Sequence, residues 1–270
     1  MFRPLLVFAF ATTAVPVIAQ EDIDRLVEAL RIDETIEIMR EEGIEYGVSI
    51  ADDLFPGHAP GNWEQIVRKI YSGDIGAQVE ADVAEALSEV EVAPLVAFFT
   101  SDRGREVVAL EIEARRALSD EAVEEAALAR ARALRDEGAP LVEHIDAFIA
   151  ANDLVEQNVV GAMNANYAFV RGLVSQGGPG EGMSEDQIIA DVWAQEPQIR
   201  SDAIDWLDGY LMMAYQPLDP EDLEAYVALS ETEAGAAMNQ AIFDAFDDMY
   251  VDISRRLGEQ AATFMSGEDI

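Results

Sequence analysis

The stretch LDPEDLEAYVALSETEAG, residues 218–235, decides how the chain is read. Asp219 before Pro220 is a helix-start signal: the carboxylate accepts from free first-turn amides, and proline has no amide to leave unpaired. Apolar residues at helical spacing follow, among them Leu223, Tyr226 and Val227. SETEAG, residues 230–235, then interrupts the pattern, either as a loop that grips a ligand or as a joint between two helices. Thr232 is spaced to accept from the first-turn amides of the next helix, and Glu233 complements the positive end of its dipole. Gly235 leaves room for the preceding helix to come close. An anion drawn to the same amides would meet that acid, so the stretch reads as a joint.

A second copy of the pattern supports this reading. LSEVEVAPLVAFFTSDRG, residues 87–104, aligns without a gap 131 residues earlier. Leu87/Leu218, Val96/Val227, Ala97/Ala228 and Gly104/Gly235 are identical. Ser88/Asp219 and Ser101/Thr232 pair as caps, Glu91/Asp222 and Asp102/Glu233 as acids, and Val92/Leu223, Leu95/Tyr226 and Phe98/Leu229 as core positions. Upstream, NWEQIVRKIY (62–71) lies on SEDQIIADVW (184–193), so the helix between is expected to be longer in the second copy. Two related helical-hairpin units follow, about 62–118 and 184–257, with a connecting helix near 119–136.

The remaining sequence agrees with an all-α, multi-helix bundle. Met238, Ile242, Ala245, Met249, Ile253 and Leu257 share one helical face opposite Asp244, Asp248 and Asp252. Asn62, Ser88, Ser184 and Asp219 read as helix starts, while Gly138 with Pro140, and Gly258, read as ends. QGGPGEGMS, residues 176–184, suits a linker. As a phosphate loop it lacks the terminal Gly-Lys-Ser/Thr, since the chain's one lysine is Lys69.

MFRPLLVFAFATTAVPVIAQ opens with Arg3, continues with an apolar run from Leu5 to Ala14, and ends in small residues. That order predicts a signal peptide over 1–19, cut after Ala19, and a periplasmic or secreted protein. The apolar run is about half of what a membrane-spanning helix needs, so no stable membrane insertion is expected after cleavage. The absence of cysteine excludes disulfides and a lipid-modified N-terminus. With 54 acids against 17 bases the net charge is −37, which repels phosphate backbones and removes nucleic acid as a partner. The same charge serves solubility or recruits cations or a basic partner. Half the residues are hydrophobic, enough for residues 20–270 to form a single packed domain.

The phenylalanine-rich joint Phe98-Phe99-Thr-Ser101-Asp-Arg-Gly104 and its counterpart Tyr226 to Gly235 resemble a bacterial family of exported, all-helical proteins known only as a domain of unknown function. Members typically carry an aromatic AFY stretch followed by Ser-Pro-x-Gly. Here Asp102 and Glu233 stand where proline is common, and the second copy lacks the aromatic pair. The resemblance covers roughly 60–120 and 150–260. It implies export and a helical fold, and no activity.

No catalytic residue, cofactor or metal site is expected. His58 and His144 are the only histidines, and Phe55 and Leu141 precede them by three, which removes the Glu-x-x-His pattern of carboxylate-bridged metal bundles. Asp202, Asp205 and Asp208 recur every three residues, whereas calcium loops alternate by two; they and the stripe Asp244, Asp248, Asp252 read as solvated helix faces. No Gly-x-Ser-x-Gly elbow is present. The segment 152–177 combines a small-residue ridge, Gly161, Ala165, Ala168 and Gly172, with Asn158, Asn164, Asn166 and Arg171. Asn164 and Arg171, seven apart, are either satisfied polar groups between packed helices or the floor of a cleft that holds a small amphipathic, carboxylate-bearing ligand. The leading expectation is a non-enzymatic interaction or scaffold module that binds an envelope protein or peptide; the alternative is the small-ligand pocket at Asn164 and Arg171.

Overall fold

The computed structural model describes residues 17–56 and 60–265. The segment 1–19, expected to be a signal peptide, lies outside these residues except for the helical backbone of 17–19, and His58 lies outside them too. Fourteen helices and no strand occur among the described residues. They are α1 (Val17–Leu30), α2 (Ile32–Ser49), α3 (Ala51–Leu54), α4 (Trp63–Ile70), α5 (Ile75–Ala86), α6 (Ala93–Phe99) and α7 (Asp102–Leu118). The second half contains α8 (Glu121–Glu137), α9 (Pro140–Ala151), α10 (Leu154–Ser175), α11 (Glu185–Trp193), α12 (Glu196–Tyr215), α13 (Pro220–Ser230) and α14 (Glu233–Met265). The protein is all-α. The residues aligned in sequence fall on α4, α6 and the start of α7 and, in the same order, on α11, α13 and the start of α14; of the helices between, α12 is 20 residues long against 12 for α5.

Start and stop chemistry explains most boundaries. Ser184 and Gln187 close a reciprocal capping box at α11, and Asp120 accepts from Ala122 and Val123 at α8. Gly138 ends α8 at φ 62°, a backbone conformation that costs glycine nothing. Three expected signals act otherwise. Asn62 stands before α4 without a side-chain cap bond. Ser88 does not cap α6, which starts at Ala93. A helix begun at Ser88 would carry Pro94 in its interior, where proline removes a hydrogen bond and clashes with the previous turn; the later start puts it in the first turn. Gly258 ends nothing and lies well inside α14, where it serves packing.

The most extensive helix pair is α10 on α14, and glycine sets its separation. A Cβ on Gly172 would stand 2.3 Å from the Arg255 carbonyl oxygen, and one on Gly258 would stand 2.1 Å from that of Phe169. The two backbones therefore touch reciprocally, which no larger residue allows. Around this pair lies a main core that runs from Ile23 and Leu26 through Phe99 and Ile145 to Leu211 and Tyr215. A smaller core gathers Trp63, Phe55 and Phe264, whose rings meet edge to face at 5.2–6.2 Å. Trp63 is fully buried and donates its Nε1 hydrogen to the Gly47 carbonyl at 2.8 Å, satisfying its one polar group.

Candidate functional site

The two joints have the same local construction. Ser101 Oγ accepts from the Gly104 amide at 3.1 Å, and Thr232 Oγ1 accepts from the Gly235 amide at 3.0 Å. Each hydroxyl also donates back, to Phe98 and Leu229 respectively, both at 2.6 Å. Cβ atoms on Gly104 and Gly235 would fall 2.2 and 2.1 Å from the carbonyl oxygens of those same residues. Each glycine thus lets the next helix start directly against the end of the one before it.

Between α6 and α13 runs an open groove. Pro94, Ala97, Phe98 and Ser101 line one side, and Ala225, Ala228, Leu229 and Thr232, each 131 residues later, line the other. Both sets follow i, i+3, i+4, i+7, one face of a helix. Arg103, just past the end of α6, is ion-paired with Asp222 in the first turn of α13, so the helices run antiparallel. The lining is mainly apolar, with Ala97 and Ala228 exposed and Phe98 and Leu229 partly covered.

Beneath the groove is a cluster of polar groups inside the core. Phe98 stacks on Tyr226 at 5.5 Å, and Tyr226 in turn meets Phe99, Phe148 and Tyr215. The hydroxyls of Tyr215 and Tyr226 donate to the carboxylate of Glu111 on α7, and Tyr210 reaches the Glu111 carbonyl at 3.4 Å. Burial of the carboxyl pushes its pKa up to about 7, against the opposing pull of the two phenols. Burial likewise raises both tyrosines far above their ordinary value, so they remain protonated donors. One turn along α7, Arg115 binds Glu42 (2.5 Å) and stacks 5.1 Å over Trp206, closing the adjacent side of the helix.

The residues expected to floor a ligand cleft do not converge. Asn164 donates to Asp247 Oδ2 of α14 at 3.0 Å, a bond between packed helices that leaves Asp247 Oδ1 buried without a partner. Arg171 is 57 % exposed, lies 5.7 Å over the Tyr167 ring and is 3.9 Å from Glu185. Asn158 bonds its own helix through the Leu154 carbonyl, and Asn166 reaches Gln195. His144 faces Glu224 at 3.2 Å on the surface. The aspartates of α12 are not a uniformly solvated face: Asp208 is buried, held by a bidentate ion pair with Arg135, while Asp205 pairs with Arg132 in the open. Asp244, Asp248 and Asp252 do face solvent. Among the described residues no group of three or more metal-ligating side chains comes together, and no helix is long and apolar enough to cross a membrane.

Glu111, the phenol pair and the Arg135–Asp208 pair are missing from the sequence reading, yet the sequence carries their signal. Gly104, Val107, Val108, Glu111, Arg115 and Leu118 form one stripe of α7, so an acid and a base stand in core register. Asp208 likewise keeps register with Leu211 and Tyr215. A charged residue in an apolar stripe marks a buried pair or a hydrogen-bonded carboxyl.

Residues 78–133 match the family model DUF2059, described as an uncharacterized protein conserved in bacteria. The matched segment runs from α5 into α8 and includes the first joint, Glu111 and Arg115; the resemblance seen over 150–260 lies outside it. No curated protein and no solved structure matches the chain.

Proposed function

We propose that this protein is an exported interaction module of the bacterial envelope, in which the groove between α6 and α13 receives an apolar segment of a partner protein. The observation that carries the reading is the groove itself: an exposed apolar trough bounded by two helices, each locked at its joint by a capping hydroxyl and a glycine. Such a rigid trough pre-organises a docking surface, so little ordering opposes binding. Its polar lining groups are already engaged: Ser101 and Thr232 cap their helices and Arg103 is paired with Asp222. Export rests on the N-terminal charge and hydropathy pattern. The small-ligand alternative at Asn164 and Arg171 has weaker support, because Asn164 is engaged by Asp247 and Arg171 stands in solvent.

A photo-crosslinking amino acid placed at Ala97 or Ala228 in the producing bacterium tests the reading, with Glu125 on exposed α8 as control. Both groove positions are expected to give the same adduct, recovered in the periplasmic fraction, and the control none. No adduct from either groove position, or equal labelling from Glu125, refutes it.

A further inference from the structure

We infer that the occupant of this groove is a cationic amphipathic helix; the inference rests on the groove reading above and names the chemistry of the partner. Two features favour a helix. The groove walls are helices, whose backbone donors and acceptors are spent internally, so an extended peptide would find no strand edge to pair with, whereas a third helix needs only side-chain contact. The lining positions recur at i, i+3, i+4 and i+7 on both walls, and the small Ala97 and Ala228 lie opposite one another in the alignment, letting a third helix settle between the walls. The walls engage about two helical turns, some 10 Å of partner.

Charge selects the kind of helix. Glu91, Glu221 and Glu231, at i−3 from Pro94, i−4 from Ala225 and i+3 from Ala228, continue the lining register and are exposed, and the one cation in the lining, Arg103, is held by Asp222. Across the whole chain the balance is −37. A second copy would bring the same charge to the contact, so self-association is opposed, and an acidic peptide is repelled. A helix with large apolar residues on one face and lysine or arginine on the other satisfies both trough and rim.

The probe is a labelled peptide of about 16 residues, four helical turns, with leucines at i, i+3, i+4, i+7 and lysines elsewhere. Its controls are a scrambled peptide of identical composition, a version with glutamate replacing lysine, and a version with serine replacing lysine. We expect saturable one-to-one binding of the lysine peptide, at least about tenfold weaker binding of the scramble, and no binding of the glutamate version. The groove-filling double variant Ala97→Trp/Ala228→Trp should weaken the lysine peptide at least about tenfold with an unchanged unfolding curve. Equal affinity of the scramble, or no effect of filling, means attraction by overall charge alone and overturns the inference together with the groove reading. Binding of the glutamate or serine peptide as tightly as the lysine one, abolished by filling, overturns the cationic assignment and leaves the groove reading standing. Self-association that filling abolishes assigns the groove to a second copy and overturns the inference. Should the double variant misfold, a spin-labelled lysine peptide on the wild-type chain decides: amide broadening at Ala97, Phe98, Ala228 and Leu229 supports the inference, and broadening elsewhere overturns it.

Discussion

Replacing Glu111 by glutamine should be near neutral in acid and increasingly stabilising as pH rises. In the folded chain the carboxyl is surrounded by α7, α12 and α13, accepts from Tyr215 and Tyr226, and has its pKa raised by burial from 4.5 to about 7. Between those two values the folded state binds a proton that the unfolded chain has released, so native stability falls as pH rises through that window. The shift corresponds to about 3 kcal/mol at most, and roughly 2 kcal/mol once the partial exposure of Glu111 is allowed for. Glutamine imitates the protonated acid: its carbonyl accepts from one phenol, and its amide can donate to the oxygen of the other. Near pH 4.5 the variant and wild type should unfold within about 1 kcal/mol of each other. At pH 8 Glu111→Gln should be the more stable by about 2 kcal/mol, or about 4–8 °C in melting temperature for a chain of this size. Urea unfolding of both proteins at half-unit steps from pH 4.5 to 8 measures the difference, in which the other carboxylates cancel. A difference that stays flat across that range, or a variant less stable at pH 8, would refute the buried-acid account.

Three further outcomes follow from the packing. Gly258→Ala gains about 1 kcal/mol of helix propensity, yet its Cβ would press on the Phe169 carbonyl 2.1 Å away, and overpacking against backbone costs up to about 3 kcal/mol; thermal unfolding should show a net loss of about 2 kcal/mol. Arg135→Ala leaves buried Asp208 without its partner and should cost about 3 kcal/mol in urea unfolding, whereas Arg132→Ala, whose pair with Asp205 is exposed, should cost under about 1 kcal/mol. Ser101→Ala and Thr232→Ala each remove a joint cap and should each lower stability by about 1 kcal/mol, with Ser88→Ala near neutral because Ser88 caps no helix.

Local chemistry and periodicity were legible from sequence because they depend on residues a few positions apart. The capped joints at Ser101 and Thr232, the start at Asp219 and the amphipathic face of α14 all arise within two helical turns. Where a distant residue decided the outcome, reading along the chain lost it. Gly258 looked like a terminator because its partner, the Phe169 backbone, is far away in sequence. Arg171 looked like a cleft residue because seven-residue spacing from Asn164 puts the two on one face of α10, but that face is shared between α14 and solvent. Glu111 is one of many acids in the chain, and only its register with Val107, Val108 and Leu118 separates it from the solvated ones. Phe98 and Leu229 read as core positions beside Val92, Leu95, Leu223 and Tyr226, yet they are half-covered and line the groove, because only the juxtaposition of α6 and α13 turns their faces into a trough.

A trough made by two identical subunits would be a palindrome, and a bound helix could enter in either direction with equal energy. Here both walls belong to one chain and have diverged: Phe98 faces Leu229, and the Arg103–Asp222 clasp has as its counterparts Ala234 and Glu91, which cannot form one. The two ends therefore differ, and the trough has an aromatic shelf on one flank and an aliphatic one on the other. Polarity, which a symmetric dimer can never impose on its ligand, is written here into a single polypeptide.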